Sequence, residues 1–104
     1  MAFVISPRIR KKLAEKHNVS EDEIRQCFTN VEGTYIRDTR EEHRTDPASH
    51  WFVAETNQRR VPKVVFLARK IETPDGPKVQ IEIKTAYEAN SAEISIYDRI
   101  GKGR

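Results

Sequence analysis

VQIEIKTAYEANSAEISIY, Val79 to Tyr97, changes its hydrophobic period midway, and that change decides how the rest of the chain is read. In the first half Val79, Ile81 and Ile83 alternate with Gln80, Glu82 and Lys84, the repeat of a strand with one apolar and one charged face. By the same alternation Thr85 and Tyr87 continue the buried face. Asn90 with Glu93 has the spacing of a capping box, so a helix begins there, and Ile94, Tyr97 and Ile100 give it an apolar stripe. A strand that hands over to a helix leaves its last polar side chains at the rim of a sheet, where open sheets keep their sites. Lys84, Tyr87 and Glu93 are the first candidates.

At 104 residues the chain is expected to form a single domain, residues 1–104, with one modest core and no room for a separate cofactor-binding domain. Charged residues make up 34% and hydrophobic ones 37%, and because the apolar positions are periodic this composition reads as folded. A net charge of +3 and a pI near 9.2 permit nucleic-acid binding without demanding it. The single cysteine, Cys27, excludes an intramolecular disulfide and any multi-cysteine metal site, which fits a reducing compartment. MAFVISPR has no charged start and no long apolar run, and no stretch reaches bilayer length. A cytoplasmic protein without membrane association or cofactor is expected.

Ser6 before Pro7 is a helix start, since serine caps and proline's missing N–H costs nothing at the first helical position. Ile9 and Leu13 form a narrow apolar stripe, and Arg8, Arg10, Lys11, Lys12 and Lys16 cover the remainder against one acid, Glu15. This is the most basic helix of the chain, read either as a solvated face or as the seat of an anionic partner. Asn18 ends it in a left-handed conformation, Ser20 with Glu23 caps the next helix, and Val19 with Ile24 forms a hydrophobic staple. Ile24, Cys27, Phe28 and Val31 share one face, which places Cys27 in the core, and Gly33 stops the helix.

Tyr35 to Asp38 opens the sheet, and DTREEHRTDPASH, Asp38 to His50, is a charged hairpin loop with a turn at Asp46-Pro47. Trp51 to Thr56 alternates as a second strand, Asn57 to Arg60 turns, and Val64 to Ala68 is apolar throughout, as a central strand should be. Pro62 is tolerable at that strand's start, and Thr73-Pro74-Asp75-Gly76-Pro77 turns the chain into the last strand. The expected fold is therefore α+β: two N-terminal helices on an antiparallel four-stranded sheet with Val64 to Ala68 central, closed at one end by a C-terminal helix. Phe28, Trp51, Phe66, Ile81 and Ile83 are its expected core.

His43 and His50 share the charged loop with Asp38, Glu41, Glu42 and Asp46, but their spacing matches no zinc pattern, and no metal site is assigned. Phosphate-cradling glycine loops, GxSxG and HExxH are absent from the sequence. Metal-free acid-base chemistry on a phosphodiester needs positive groups and proton carriers without diagnostic spacing, and Lys16, His17, Arg37, Arg40, His43, Lys84 and Tyr87 are the right kinds of residue. The competing reading makes Arg37, Arg40 and Lys84 solvated strand residues, His17 a satisfied helix-end histidine, and Tyr87 and Tyr97 core aromatics.

KHNVSEDEIRQCF, Lys16 to Phe28, resembles the lysine-histidine-glycine stretch and acidic second helix of BrnT-type toxins, small relatives of the RelE ribonucleases of bacterial toxin-antitoxin pairs. IEIKTAYEANSAEISIY is similar to that family's last strand and helix, with Lys16, His17, Glu93 and Tyr97 on matching positions. The resemblance implies a RelE-like fold, an RNA substrate, growth arrest and a cognate antitoxin that covers the basic surface. Together with the residue types and the basic helix above, it gives the assignments of His17, Lys84, Glu93 and Tyr97 to catalysis, of Lys16, Arg37, Arg40 and Tyr87 to RNA, and of Arg8, Lys11, Lys12 and Lys16 to the partner. The implied reaction is attack of a ribose 2′-hydroxyl on the adjacent phosphate; a module of the same fold that only binds protein or nucleic acid is the alternative. Tyr87 stands where the family has arginine, and Asn18 replaces its glycine. DTREEHRTDPASHWFVAET is also similar to small bacterial proteins named ADP-ribosyl-(dinitrogen reductase) hydrolase, an activity whose known enzymes carry a two-magnesium carboxylate cluster that this sequence lacks.

Overall fold

The computed structural model describes residues 2–39 and 47–103. In chain order the elements are β1 (Ala2–Val4), α1 (Pro7–Lys12) widening into a π-helical turn (Leu13–His17), α2 (Glu21–Asn30), β2 (Ile36–Arg37), β3 (Ser49–Val53), β4 (Pro62–Thr73), β5 (Gly76–Glu88) and α3 (Ser91–Ile96), which ends in a second π turn (Tyr97–Gly101). The strands form one sheet in the order β1-β5-β4-β3-β2, so β4 is central as expected. The α+β class holds, but the four-stranded antiparallel sheet does not. A fifth strand, β1, pairs parallel to β5, with Phe3 opposite Ile81, and makes the sheet mixed. AFV is too short to show a period, and its pairing depends on β5 being exposed at the sheet's edge.

Local signals set the helix ends. Ser6 Oγ accepts from the Ile9 N–H at 3.3 Å, and Ser20 and Glu23 exchange both bonds of a capping box at 3.1 Å each. Asn18 takes φ 52°, the left-handed stop. Helix α2 ends at Asn30, ahead of Gly33. Gly33 serves close packing instead: a Cβ there would lie 2.5 Å from the Gly101 carbonyl oxygen.

Helix α2 covers one face of the sheet, its Phe28 ring meeting Phe52 at 4.7 Å and Phe66 at 5.2 Å. Ile24, Cys27, Phe52, Val64 and Ala86 are fully buried there, and Phe66, Ile81 and Ile83 nearly so. Phe28 and Trp51 are only half-buried. Successive strand residues point to opposite faces, so Phe52 takes the core position assigned to Trp51, and Trp51 faces α3, 6.0 Å from the Tyr97 ring.

The register between β4 and β5 shifts between Val65 and Phe66. Thr85 pairs with Val65 and Ile83 with Phe66, which leaves Lys84 as an extra residue on β5. This bulge resets the alternation. Ala86, not Thr85, continues the buried row of Ile81 and Ile83, and Tyr87, opposite Lys63, turns to the second face. The expectation that Thr85 and Tyr87 continue the core face is thereby corrected. Among the described residues no helix is long and apolar enough to cross a membrane.

Candidate functional site

Bulging at Lys84 has a chemical consequence, because Lys84, Thr85 and Tyr87 all line one cleft of about 340 Å³ on the second face. Its opposite wall comes from α1 and the π turn, which supply Lys12, Lys16 and His17. Val65 and Ser49 complete the lining, so among the described residues no carboxylate borders the cleft. Lys12, Lys16 and Lys84 form no ion pair among the described residues. Three ammonium groups with no counterion among the described residues, gathered from two distant parts of the chain, create a local positive potential stronger than the net charge suggests.

His17 packs its ring against Tyr87, centroids 5.7 Å apart. Its pKa is held below the usual 6.5, first by partial burial and then by the ammonium groups of Lys12 and Lys16. The imidazole is therefore neutral at neutral pH and able to accept a proton. An anion in the cleft would offset the two lysines and draw that pKa upward.

Behind the cleft lies a partly buried polar cluster. Glu93, capped onto the start of α3, accepts the Asn90 N–H at 3.0 Å with one oxygen, and the Tyr87 hydroxyl at 2.8 Å and Lys63 Nζ at 3.0 Å with the other. Burial alone would raise the Glu93 pKa, but the Asn90 N–H, the Lys63 ammonium and the Tyr87 hydroxyl outweigh it and hold the carboxyl below its usual 4.5. Lys63 itself is buried and rests 4.6 Å over the Trp51 ring. Sequence reasoning missed Lys63. The only signal was a lysine wedged between Pro62 and an apolar run, where an exposed strand end reads equally well.

Of the residues assigned to RNA and catalysis, the structure gathers Lys16, His17, Lys84 and Tyr87 at one cleft. Glu93 stands one bond behind, its oxygens already engaged. Tyr97 lies elsewhere: it is 1% exposed, and its hydroxyl donates to the Thr34 carbonyl at 2.9 Å. Burial raises its pKa, and it serves as a core aromatic with a satisfied hydroxyl. Arg37 lies on β2 beside a second groove that includes Trp51, Lys63 and Glu93, so the Tyr87–Glu93 contact stands between it and the basic cleft. Arg40, His43, Glu41, Glu42 and Asp46 lie outside the described residues. Arg8, Lys11, Lys12 and Lys16 are exposed, while the neighbouring Arg10 pairs with Glu21 at 3.1 Å. Cys27 is buried with its thiol directed at the Ala54 carbonyl, 3.7 Å away, as expected of a core cysteine.

No protein-family model matches the chain, and no curated protein matches it at a significant level.

Proposed function

We propose that the cleft between the first helical segment and the bulged strand holds the phosphate backbone of RNA, and that the protein is a metal-independent, toxin-like ribonuclease. The observation that carries this reading is the convergence of Lys12, Lys16 and Lys84 around a neutral, partly buried His17. In the reaction His17 accepts the proton of a ribose 2′-hydroxyl, the 2′-oxygen attacks the adjacent phosphorus, and the 5′-oxygen leaves, giving a cyclic phosphate. Lys16 and Lys84 hold the phosphate oxygens and offset the charge that develops on them. Tyr87, fixed by Glu93, offers its ring to a base as single-stranded RNA binders do. The resemblance of Lys16–Phe28 and Ile81–Tyr97 to BrnT-type toxins supports the same reading and brings with it a cognate antitoxin that covers the basic helix.

A second reading, a module that binds without turnover, is favoured by one specific observation. Glu93 and Tyr97 are both committed to structural hydrogen bonds, so His17 carries proton transfer without an evident acid to serve the leaving oxygen. Cleavage of RNA in EDTA, beside growth on inducible expression, separates the two. The ribonuclease reading expects cyclic-phosphate products and growth arrest, both lost in His17→Ala and Lys84→Ala and enhanced in Tyr87→Arg. Binding without products or arrest leaves the binding module.

A further inference from the structure

The proposed reaction uses two of the cleft's three ammonium groups, and Lys12 is left over. Lys12 lines the cleft from the end of α1, on the same wall as Lys16, while Lys84 stands on β5 across from both. All three are exposed, and none has an ion pair among the described residues. Lys12 and Lys16 act on one spot, since both, after burial, hold the His17 pKa down. At about 340 Å³ the cleft lies near the small end of ligand pockets, which run from roughly 300 to 1,000 Å³, and it suits one nucleotide-sized group better than a length of strand.

We infer that the cleft is matched to a diphosphate, two phosphates joined through one oxygen, as carried by the 5′ end of a polyphosphorylated RNA or by a free nucleoside diphosphate. Charge stoichiometry selects it. An internal phosphodiester brings a single negative charge, which leaves two of the three ammonium groups unmatched and repelling one another. A terminal phosphate carries about −1.5 to −2 near neutral pH, and an inner phosphate adds one more charge, for a total of about −3. Lys12, Lys16 and Lys84 together offset that charge. Successive phosphates of a strand are held apart by a whole nucleoside, whereas the two phosphates of a diphosphate share an oxygen and can lie together between the cleft's walls. His17 and Tyr87, their rings 5.7 Å apart, border the same space and give the attached nucleoside an aromatic surface. The inference rests on the reading of this cleft as a phosphate site and adds the class of phosphate that it prefers.

The test is calorimetric titration in EDTA with AMP, with ADP, and with one short RNA bearing a 5′-hydroxyl or a 5′-diphosphate end, on wild type, Lys12→Gln and Lys84→Gln. Both lysines are exposed, so their replacement leaves the core untouched, and circular dichroism checks the fold. The inference expects wild type to bind ADP about tenfold or more tightly than AMP, corresponding to ~1.4 kcal/mol, Lys12→Gln to erase that difference, and Lys84→Gln to weaken both nucleotides. A diphosphate RNA that binds more tightly than its 5′-hydroxyl form supports the inference and places the ligand at an RNA end; a preference for ADP without such a difference between the RNAs supports it and places the ligand among free nucleotides. ADP that binds no more tightly than AMP, or a Lys12→Gln protein that loses affinity for the two equally, overturns it. If the 5′-hydroxyl RNA still binds in that case, the reading of the cleft as a site for internal phosphates stands; if neither RNA nor nucleotide binds, that reading falls as well.

Discussion

The Tyr87 hydroxyl donates to Glu93 Oε2 at 2.8 Å, and this bond fastens the basic cleft to the start of the last helix. The same oxygen accepts from Lys63, whose side chain is 8% exposed against 16% for Glu93. Removing the carboxylate leaves a buried ammonium without its partner. Glu93→Ala is expected to cost about 3–5 kcal/mol in urea unfolding, whereas the double change Lys63→Met with Glu93→Gln recovers most of it. Equal losses in the single and double variants would contradict the pairing argument.

Acid should weaken the fold through the same residue. With its folded pKa below the usual 4.5, Glu93 binds a proton less readily in the native state than in the unfolded chain. Its contribution is complete above 4.5 and is lost as pH falls through the lower folded value. Unfolding curves of wild type and the Lys63→Met/Glu93→Gln double variant should therefore converge at the acid end of that window.

His17 titrates with the same sign and also reports availability. Its folded pKa lies below 6.5, so the unfolded chain takes up this proton first, and the associated stability, complete above 6.5, declines as pH falls below it. An NMR titration should place the His17 midpoint under 6.5, and Lys12→Gln or Lys16→Gln should move it part of the way back, because burial remains. Inorganic phosphate in the cleft should raise it. A midpoint that ignores both lysines and phosphate would separate His17 from the cleft's electrostatics.

Tyr97 should behave as structure. Tyr97→Phe removes the donor to the Thr34 carbonyl and is expected to cost about 1–2 kcal/mol while leaving RNA binding and cleavage unchanged. Loss of RNA activity in a folded Tyr97→Phe protein would restore the catalytic role that resemblance suggested.

The Cys27 thiol, pushed up to about 12 by burial first and the Glu23 carboxylate second, should resist iodoacetamide at mildly alkaline pH until denaturant opens the core. Rapid labelling of the native protein would place it outside the core.

What could be read from the sequence was what local chemistry dictates. The Ser20–Glu23 and Asn90–Glu93 capping boxes and the left-handed Asn18 depend on residues within a turn of one another, and all three are present. The bulge at Lys84 was illegible because it arises from pairing with β4, and one inserted residue exchanges the faces of everything after it. That is why Thr85 and Tyr87 were assigned to the wrong face, and why the cleft's membership was clearer than its geometry. Lys63 was hidden for a related reason: its partner Glu93 lies on another element, and nothing near Lys63 in sequence announces the pair.

The most direct measurement of the central claim is the affinity of a short single-stranded RNA for wild type, Lys16→Ala, Lys84→Ala and Lys16→Ala/Lys84→Ala across a series of salt concentrations. For single strands the slope of log K against log salt falls by about 0.7 for each phosphate contact removed. The account expects each single variant to weaken binding and flatten the slope by about that amount, and the double variant by about twice as much. Affinity and slope that stay unchanged in the folded double variant would show that RNA does not occupy the cleft.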